Sequence, residues 1–335
     1  MTGSASTPRN GRHGLKVKVY DGYGDADDII IYGHVLRSGY HHDASHHKGL
    51  FRNSLQLLRL FMLEPAPNAV VRLRWMGADL QAITDDQGSF KFEWKPREPP
   101  PPGWHKITVH LTEHRGHHVD VVGHARIFAP HPGQFAIISD IDDTFLISHS
   151  GNMRKRLKVL LTRSAPSRKP FKDVVKHYQA LSKGTGTQQE PTPFFYVSSS
   201  EWNLYDYLRS FFRTHGLPDG ILLLSPLKRL SNFWRTGQGK HSLKFIRIAR
   251  IINSYPDHRY ILLGDDTQQD PYIYQQIAEH HPDRVHAVYI RCVKRANHAA
   301  VKVIIDGLVE KGIHCCYFKH SSEAMEHSRS IGLIE

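Results

Sequence analysis

Cysteine is scarce in this chain of 335 residues, which contains only Cys292, Cys315 and Cys316. Three cysteines, two of them adjacent, supply neither a disulfide framework nor the paired spacing of a zinc site. A chain without structural disulfides suits a reducing compartment, so the sequence predicts a cytoplasmic protein.

Long apolar runs are also missing. The first fourteen residues, MTGSASTPRNGRHG, contain no apolar core of a secretory leader. Apolar runs such as YILLG and GILLLS are far shorter than the roughly 20 residues that a membrane-spanning helix needs. If the protein meets a membrane, it therefore does so at the surface.

Acidic residues are fewer than basic residues. The chain has 32 Asp and Glu and 44 Lys and Arg, which gives a formal net charge of +12. This balance favours an anionic partner, whether nucleic acid, a phosphorylated metabolite or an anionic membrane. No nucleic-acid-binding motif accompanies the charge, which disfavours the first of these partners. Hydrophobic residues make up 40% of the chain, which is enough for one large or two ordinary domains.

The chain divides into two parts of different pattern after a tail at residues 1–14. Residues 15–130 carry short alternating or apolar runs with turn signals such as TDDQGSF, which predicts a small β-sandwich of immunoglobulin-like or transthyretin-like type. Within it, GLFRNSLQLLRLFML (49–63) has helical spacing and indicates an inserted helix. The segment APHPG (129–133) is the predicted boundary.

From residue 131 onward the pattern predicts an α/β domain. Apolar strand-like runs at 135–138, 194–197, 221–224, 259–263 and 285–290 alternate with helical stripes. Continuously apolar strands separated by helices indicate a parallel sheet that is covered on both faces, a Rossmann-like arrangement. Such sheets bind ligands at the carboxyl ends of their strands.

Polar and charged residues follow these strands in a definite order. The segments are SDIDDT (139–144), SSS (198–200), GKHSLK with Lys240 and Lys244, and DDTQQD (265–270). Each segment alone is more often a helix cap, a turn or a solvated lysine. Together they suit phosphoryl transfer, in which one carboxylate attacks phosphorus, a second transfers protons, Mg²⁺ binds carboxylate oxygens, and lysine and hydroxyl groups bind the phosphoryl oxygens.

These motifs resemble the haloacid-dehalogenase (HAD) superfamily and, more narrowly, the App1-like (actin-patch-type) phosphatidate phosphatases. The narrower resemblance rests on IISDIDDT (137–144), FFYVSSSEWNLYDYLRSFF (194–212), HGLPDGILLL (215–224), ILLGDDTQQDPYIY (261–274) and HPDRVHAVYIR (281–291). It implies that residues 131–335 form a HAD-like catalytic domain. It also implies an activity, the Mg²⁺-dependent hydrolysis of phosphatidate to diacylglycerol and phosphate through an aspartyl-phosphate.

The resemblance implies roles for the loop after the first strand of this domain. Asp140 would be the nucleophile and a metal ligand. Asp142 would be the general acid and base, with its backbone carbonyl on the metal. Thr144 would support the loop near the phosphate.

The resemblance also implies roles at the later strands. Ser198, with Ser199 beside it, would bind the phosphoryl group. Asp265 would ligate Mg²⁺, and Asp266 or Asp270 would complete the set of metal ligands. Lys244 takes the place of the family lysine, although Lys240 is a rival. The family's usual serine after the metal aspartate is replaced by Asp266, and its usual proline after the serines by Glu201, which puts substrate preference in doubt.

Several alternatives stay open at this point. A phosphatase with the same chemistry could act on a soluble phosphomonoester. The chain could also be a non-catalytic lipid- or protein-binding module with the same fold. The intact aspartates and lysine argue against the non-catalytic module. Residues 151–176 could form a basic amphipathic helix on an anionic membrane or an ordinary solvated helix. The segment HHDASHH (41–47) could bind a metal, but a surface loop is favoured.

Overall fold

The computed structural model of the chain describes residues 14–38, 64–133, 135–141, 173–185, 191–225 and 239–335, with side chains in the last range from residue 243. Four predicted features lie outside the described residues. These are the inserted helix at 49–63, the His-rich segment at 41–47, the loop from Asp142 to Thr144 and most of the basic segment at 151–176. The predictions about them stay predictions.

The N-terminal part consists of strands, as the sequence predicts. They are β1 (Gly14–Val19), β2 (Gly22–Gly24), β3 (Ile29–Ser38), β4 (Glu64–Pro65), β5 (Ala69–Trp75), β6 (Ala78–Ile83), β7 (Ser89–Trp94), β8 (Gly103–His114) and β9 (His117–Ala129). Their hydrogen-bonded order is β1-β3-β2-β9-β8-β5-β6, with β4 and β7 paired to β3. The pairs are antiparallel except for β2 with β9. In β5, Ala69, Val71 and Leu73 are buried while Arg74 faces solvent, which is the period of two expected for a strand with one covered face.

The C-terminal part is an α/β unit with a parallel sheet, as predicted. Its strands are β10 (Phe135–Asp140), β11 (Phe194–Glu201), β12 (Gly220–Ser225), β13 (Arg259–Asp265), β14 (Val285–Arg291) and β15 (His314–Phe318). Its described helices are α1 (Val174–Lys183), α2 (Tyr205–His215), α3 (Gly239–Ser254), α4 (Asp270–His280), α5 (His298–Glu310) and α6 (Ser321–Ser330). No helix among the described residues is long and apolar enough to cross a membrane.

Both faces of the parallel sheet are buried under helices. Ile137, Tyr196 and Leu263 belong to the apolar cluster that includes α1, α2 and α6. The alternate residues of the same strands, such as Ile138 and Leu262, belong to the cluster of α3, α4 and α5. The strands are therefore continuously apolar because neither face meets water.

The order of the parallel strands creates a crevice for a ligand. The sheet runs β12-β11-β10-β13-β14-β15, and neighbouring strands are parallel. The chain moves from β10 outward to β12, then returns to β13 on the other side of β10. The strands that come next along the chain after β10 and β13, namely β11 and β14, thus lie on opposite sides of this pair, and such a switch point is where open α/β sheets bind ligands.

The N-terminal strands pack directly on this unit. Tyr20 and Leu36 join the cluster of α1, α2 and α6, and Tyr23 and Ile30 join the cluster of α3, α4 and α5. A buried carboxylate, that of Asp21, reaches across to α2. Residues of the N-terminal strands therefore take part in both apolar clusters of the parallel-sheet unit, in addition to an apolar cluster that the N-terminal strands enclose among themselves.

Candidate active site

Three buried carboxylates meet at the switch point of the parallel sheet. Asp140 ends β10, Asp265 ends the neighbouring β13, and Asp270 begins α4. All three side chains are fully buried. Each offers a carboxylate oxygen, and these oxygens lie within 4.8 Å of one another. The structure thus brings together three of the residues that the sequence predicts.

Lys244 lies in the first turns of α3 and reaches into this cluster. Its Nζ donates a hydrogen bond to Oδ1 of Asp140 at 2.7 Å and another to Oδ1 of Asp270. Burial by itself lowers the pKa of Lys244, but the two carboxylates outweigh it and the pKa is raised. The lysine is therefore a fixed positive charge at neutral pH, and the side chain of its rival Lys240 lies outside the described residues.

Asp265 is held by the turn that follows it. Its Oδ1 accepts hydrogen bonds from the amide of Thr267 at 2.6 Å and the hydroxyl of Thr267 at 2.5 Å. Even so, burial, and then the nearby charge of Asp270, raise the pKa of Asp265 to about 7. One lysine does not balance the three carboxylates of the cluster. An ionised cluster would carry a net charge of −2, because three negative charges face one positive charge.

The cluster has the chemistry of a site for a small divalent cation. Mg²⁺ binds oxygen ligands, needs few protein carboxylates, and retains several waters. Burying like charges without compensation is costly, and a divalent cation would remove that cost. Asp140, Asp265 and Asp270 are the residues that could hold such an ion.

Gly264 makes the close approach of Asp265 and Asp270 possible. A Cβ atom at residue 264 would lie 2.6 Å from Oδ2 of Asp270 and 2.9 Å from a ring carbon of Tyr274. The amide of Asp265 donates to the same Oδ2 at 3.4 Å. Any larger residue at this position would push α4 away from the end of β13.

The serines near the end of β11, residues 198–200, lie beside Asp140, and we call them the serine turn. In the parallel register Asp140 pairs with Val197, so Ser198 follows one residue beyond the end of β10. Ser198 is fully buried, and its Oγ accepts a hydrogen bond from the amide of Ser200 at 2.9 Å. Ser199, in the same turn, is half-buried.

Sequence reasoning missed Arg247. Its Nη1 donates to the carbonyl of Ser198 at 3.4 Å and to Oγ of Ser225 at 3.2 Å, and burial lowers its pKa. It lies three residues after Lys244 on α3, a spacing that places two side chains on one helix face. That spacing was a usable signal for a second cation next to the serine turn.

Asp266 points away from the cluster. Its Oδ1 accepts the amides of Val293 and Lys294, both at 2.8 Å, and its Oδ2 accepts the hydroxyl of Tyr317 at 2.7 Å. Neighbouring residues at a strand end point in opposite directions, so Asp265 and Asp266 cannot both enter the same site. Among the described residues, the carboxylate that joins Asp140 and Asp265 is Asp270, and Asp266 instead fixes the loop after β14.

Residues 135–292 match the family described as "Phosphatidate phosphatase APP1, catalytic domain". This part of the chain is similar to the App1-like family. The match includes the described cluster of Asp140, Lys244, Asp265 and Asp270 as well as the serine turn near the end of β11.

Two curated relatives are similar to the chain. Phosphatidate phosphatase APP1 of Saccharomyces cerevisiae is 29% identical over 176 residues, which cover 48% of this chain and 26% of that protein. An uncharacterized protein of Schizosaccharomyces pombe is 25% identical over 160 residues, 47% of this chain and 25% of its own length. The chain thus spans about a quarter of the length of the curated relatives it matches.

A solved carbohydrate acetylesterase from Xanthomonas citri, XAC1771, also aligns with the structure. It covers 81% of this chain and 66% of its own, with 9% sequence identity and a TM-score of 0.26. A similarity this low carries no argument about the fold or the function. The App1-like assignment rests on sequence.

Proposed function

We propose that the chain is a Mg²⁺-dependent phosphatidate phosphatase that releases phosphate and diacylglycerol. In this proposal a HAD-like catalytic domain at residues 131–335 follows a β-sandwich domain at residues 15–130 and a tail at 1–14. The observation that carries the proposal is the buried cluster of Asp140, Lys244, Asp265 and Asp270. It lies at the switch point of the sheet and inside the segment that matches the App1-like family.

Asp140 is the nucleophile in the proposed reaction. Its carboxylate attacks phosphorus, the bond to the ester oxygen breaks, and an aspartyl-phosphate forms. Asp142 protonates the departing ester oxygen and then takes a proton from the water that hydrolyses the aspartyl-phosphate. This second step returns Asp140 to its carboxylate form and releases inorganic phosphate.

Lys244 and the serine turn stabilise the phosphoryl group in this scheme. The ammonium of Lys244 already contacts Asp140, so it lies next to the point where phosphoryl charge develops. Ser198 and Ser199 place hydroxyl groups beside the nucleophile, with Thr144 and the rival Lys240 as further candidates. Asp140, Asp265 and Asp270, with the Asp142 carbonyl, would hold Mg²⁺, whose positive charge would offset repulsion between phosphate and carboxylates.

A lipid substrate requires contact with a membrane. The proposed protein is cytoplasmic and meets an anionic membrane surface at its periphery. The predicted basic segment at 151–176 follows the nucleophile loop directly and is one candidate for that contact. A phosphatase for a soluble phosphomonoester, with the same site, is the second candidate function, and a non-catalytic lipid- or protein-binding module is the third.

Release of inorganic phosphate from phosphatidate in mixed micelles, with and without Mg²⁺, tests the proposal. The wild-type protein should release phosphate only with Mg²⁺, and Asp140→Asn should release none while keeping the same circular dichroism spectrum. Equal activity of wild type and Asp140→Asn would contradict the mechanism. Much faster turnover of soluble esters would transfer the assignment to the second candidate, and a folded wild type without activity on either substrate would favour the third.

A further inference from the structure

Exposed apolar side chains lie in the first two turns of the helices that begin at the carboxyl edge of the parallel sheet, and in the loop before one of them, at the edge that holds the candidate site. Leu243 on α3 is 38% exposed, Tyr272 on α4 is 44% exposed, and Val303 on α5 is 73% exposed. Val293, in the loop between β14 and α5, is 43% exposed. Each helix runs back from the carboxyl edge, so its first turns lie at the edge where Asp140 and Asp265 end their strands.

Cations flank these apolar residues. Lys294 and Arg295 follow Val293 and are exposed, and Lys302 precedes Val303 on an exposed face of α5. A single acidic residue, Asp270, occurs in residues 243–246, 270–273 and 292–303, and its carboxylate is buried in the site. The exposed surface of these turns is therefore apolar and positively charged. We call it the edge patch, made of Leu243, Tyr272, Val293, Lys294, Arg295 and Val303.

Asp266 fixes the loop of the edge patch that contains Val293 and Lys294 next to the candidate site. Its carboxylate accepts the amides of Val293 and Lys294, and its backbone carbonyl accepts a hydrogen bond from the side chain of Asn297 at 2.5 Å. Because Asp266 follows Asp265 directly, the loop that carries the cations is fixed relative to the carboxylate cluster. The additional acidic residue beside the predicted metal site thereby gains a structural role.

We propose that the edge patch rests on an anionic membrane, so that the candidate site opens onto the lipid surface. Exposed aliphatic side chains flanked by Lys and Arg suit the boundary between headgroups and acyl chains, and tyrosine favours the same zone. Each basic residue near an anionic bilayer adds to the attraction. The part of this inference that turns the candidate site toward the membrane rests on the proposed function. Binding of the edge patch to vesicles can be measured without catalysis.

Sedimentation with vesicles tests the edge patch. The probes are phosphatidylcholine vesicles with and without phosphatidylserine, which is anionic but has no phosphomonoester for the active site. Wild type should bind the anionic vesicles, and added salt should weaken the binding. Lys294→Glu with Arg295→Glu should weaken it by about tenfold or more. Val303→Asp should weaken it as well, because a charge would enter the apolar zone.

A matched charge reversal provides the control. Arg97 and Arg213 are exposed and lie away from the carboxyl edge, on the β7–β8 loop and at the end of α2. Arg97→Glu with Arg213→Glu changes the net charge by the same amount and should bind like wild type. Hydrolysis of p-nitrophenyl phosphate, a soluble ester, should be unchanged in the edge-patch variant, whereas hydrolysis of phosphatidate in vesicles should fall.

Three results would overturn the inference. They are a wild type that does not bind anionic vesicles, an edge-patch variant that binds like wild type, and a control variant that loses as much binding as the edge-patch variant. Loss of binding only after reversal of Arg154, Lys155 and Lys158 would assign the contact to the basic segment and count against the edge patch. If no ester is hydrolysed but vesicle binding depends on the edge patch, the proposed function fails and the membrane surface stands.

Discussion

At the scale of single residues, the candidate site depends on one buried lysine. Lys244 contacts Asp140 and Asp270, and neither carboxylate reaches water. Lys244→Met removes the buried cation that both carboxylates contact, so we expect the free energy of unfolding in Mg²⁺-free buffer to fall by about 3–5 kcal/mol. Phosphate release should be abolished. Urea unfolding followed by circular dichroism measures the first effect.

A second variant distinguishes charge from packing at Lys244. Lys244→Met combined with Asp270→Asn removes one buried negative charge together with the lysine, so it should be more stable than Lys244→Met alone. Lys106→Met on β8, an exposed lysine, is the control and should change stability by less than about 0.5 kcal/mol. A single variant as stable as this control would show that the buried ion pairs do not form in solution.

His177 gives the fold a defined response to acid. It is buried between α1 and α6, and its Nε2 donates to Oγ of Ser328 at 2.9 Å, because that hydroxyl uses its own hydrogen on the carbonyl of Ala324. Burial lowers the pKa of His177 to about 3. The unfolded chain binds a proton near the ordinary value of about 6.5, whereas the folded protein does not. Stability is therefore complete above that value and is lost as the pH falls from there toward the lowered pKa.

The predicted slope can be checked by thermal unfolding across the acidic range. The His177 contribution is at most about 1.4 kcal/mol per pH unit. We expect His177→Gln to flatten the pH dependence while lowering stability at neutral pH. His118→Gln, which changes an exposed histidine on β9, should leave the slope as in wild type. An unchanged slope in His177→Gln would mean that this histidine is not buried as a neutral ring.

At the scale of elements, the join between β13 and α4 depends on Gly264. Gly264→Ala would place a methyl group 2.6 Å from the Asp270 carboxylate, so α4 must shift and the cluster must open. We expect weaker Mg²⁺ binding by calorimetry and slower phosphate release. Gly307→Ala on α5 is the matched control, since nothing lies within 4 Å of its added Cβ. It should raise stability by about 0.5–1 kcal/mol because alanine favours a helix. Similar activity in both variants would contradict the tight join.

The elements that the sequence predicts well are those with strong local patterns. Continuous apolar runs identified five of the six strands of the parallel sheet. The strand β15 was missed because its sequence, HCCYF, is short and half-exposed at the sheet edge. The parallel pairing of β2 with β9 joins residues about 100 positions apart in sequence, and no local pattern predicts such a pairing.

The residues of the candidate site were likewise predicted only in part from the sequence. The resemblance and the strand ends together identified Asp140, Lys244 and Asp265, because each follows or faces a predicted strand end. They could not choose between Asp266 and Asp270, since that choice depends on the pleat at the end of β13 and on where α4 begins. Arg247 was missed because its partners, the carbonyl of Ser198 and the hydroxyl of Ser225, belong to no motif, and only its spacing of three residues from Lys244 pointed to it.

At the scale of the whole molecule, the N-terminal strands form part of the support for the candidate site. The ring of His34 on β3 stacks on Trp202 at 3.9 Å between centroids, and Nδ1 of His34 is 3.0 Å from the Tyr20 hydroxyl. Trp202 begins the short 3₁₀ turn that follows the serines of β11. The amide of Asp21 also donates to the hydroxyl of Tyr205 at 3.0 Å. Contacts from the N-terminal strands thus fix the end of the serine turn.

Asp21 forms an ionic contact with Arg209 on α2, and its other partner, Arg126 on β9, also pairs with Asp219 of the parallel-sheet unit. Its buried carboxylate accepts hydrogen bonds from Nη2 of Arg126 and Nη1 of Arg209, both at 2.7 Å, and from the Arg126 amide at 2.9 Å. Asp21→Ala removes a buried acceptor from both arginines, but Arg126 keeps Asp219 and both guanidinium groups are partly exposed, so we expect the free energy of unfolding to fall by about 1–3 kcal/mol. Because residues of the N-terminal strands take part in both apolar clusters of the parallel-sheet unit, unfolding should remain a single transition by circular dichroism and by tryptophan fluorescence. Asp79→Ala removes an exposed pair with Arg72 within the N-terminal sheet and should cost less than about 1 kcal/mol. If Asp21→Ala produced two separate transitions, with the parallel-sheet unit melting as in wild type, the N-terminal strands would be an independent domain and would not support the serine turn.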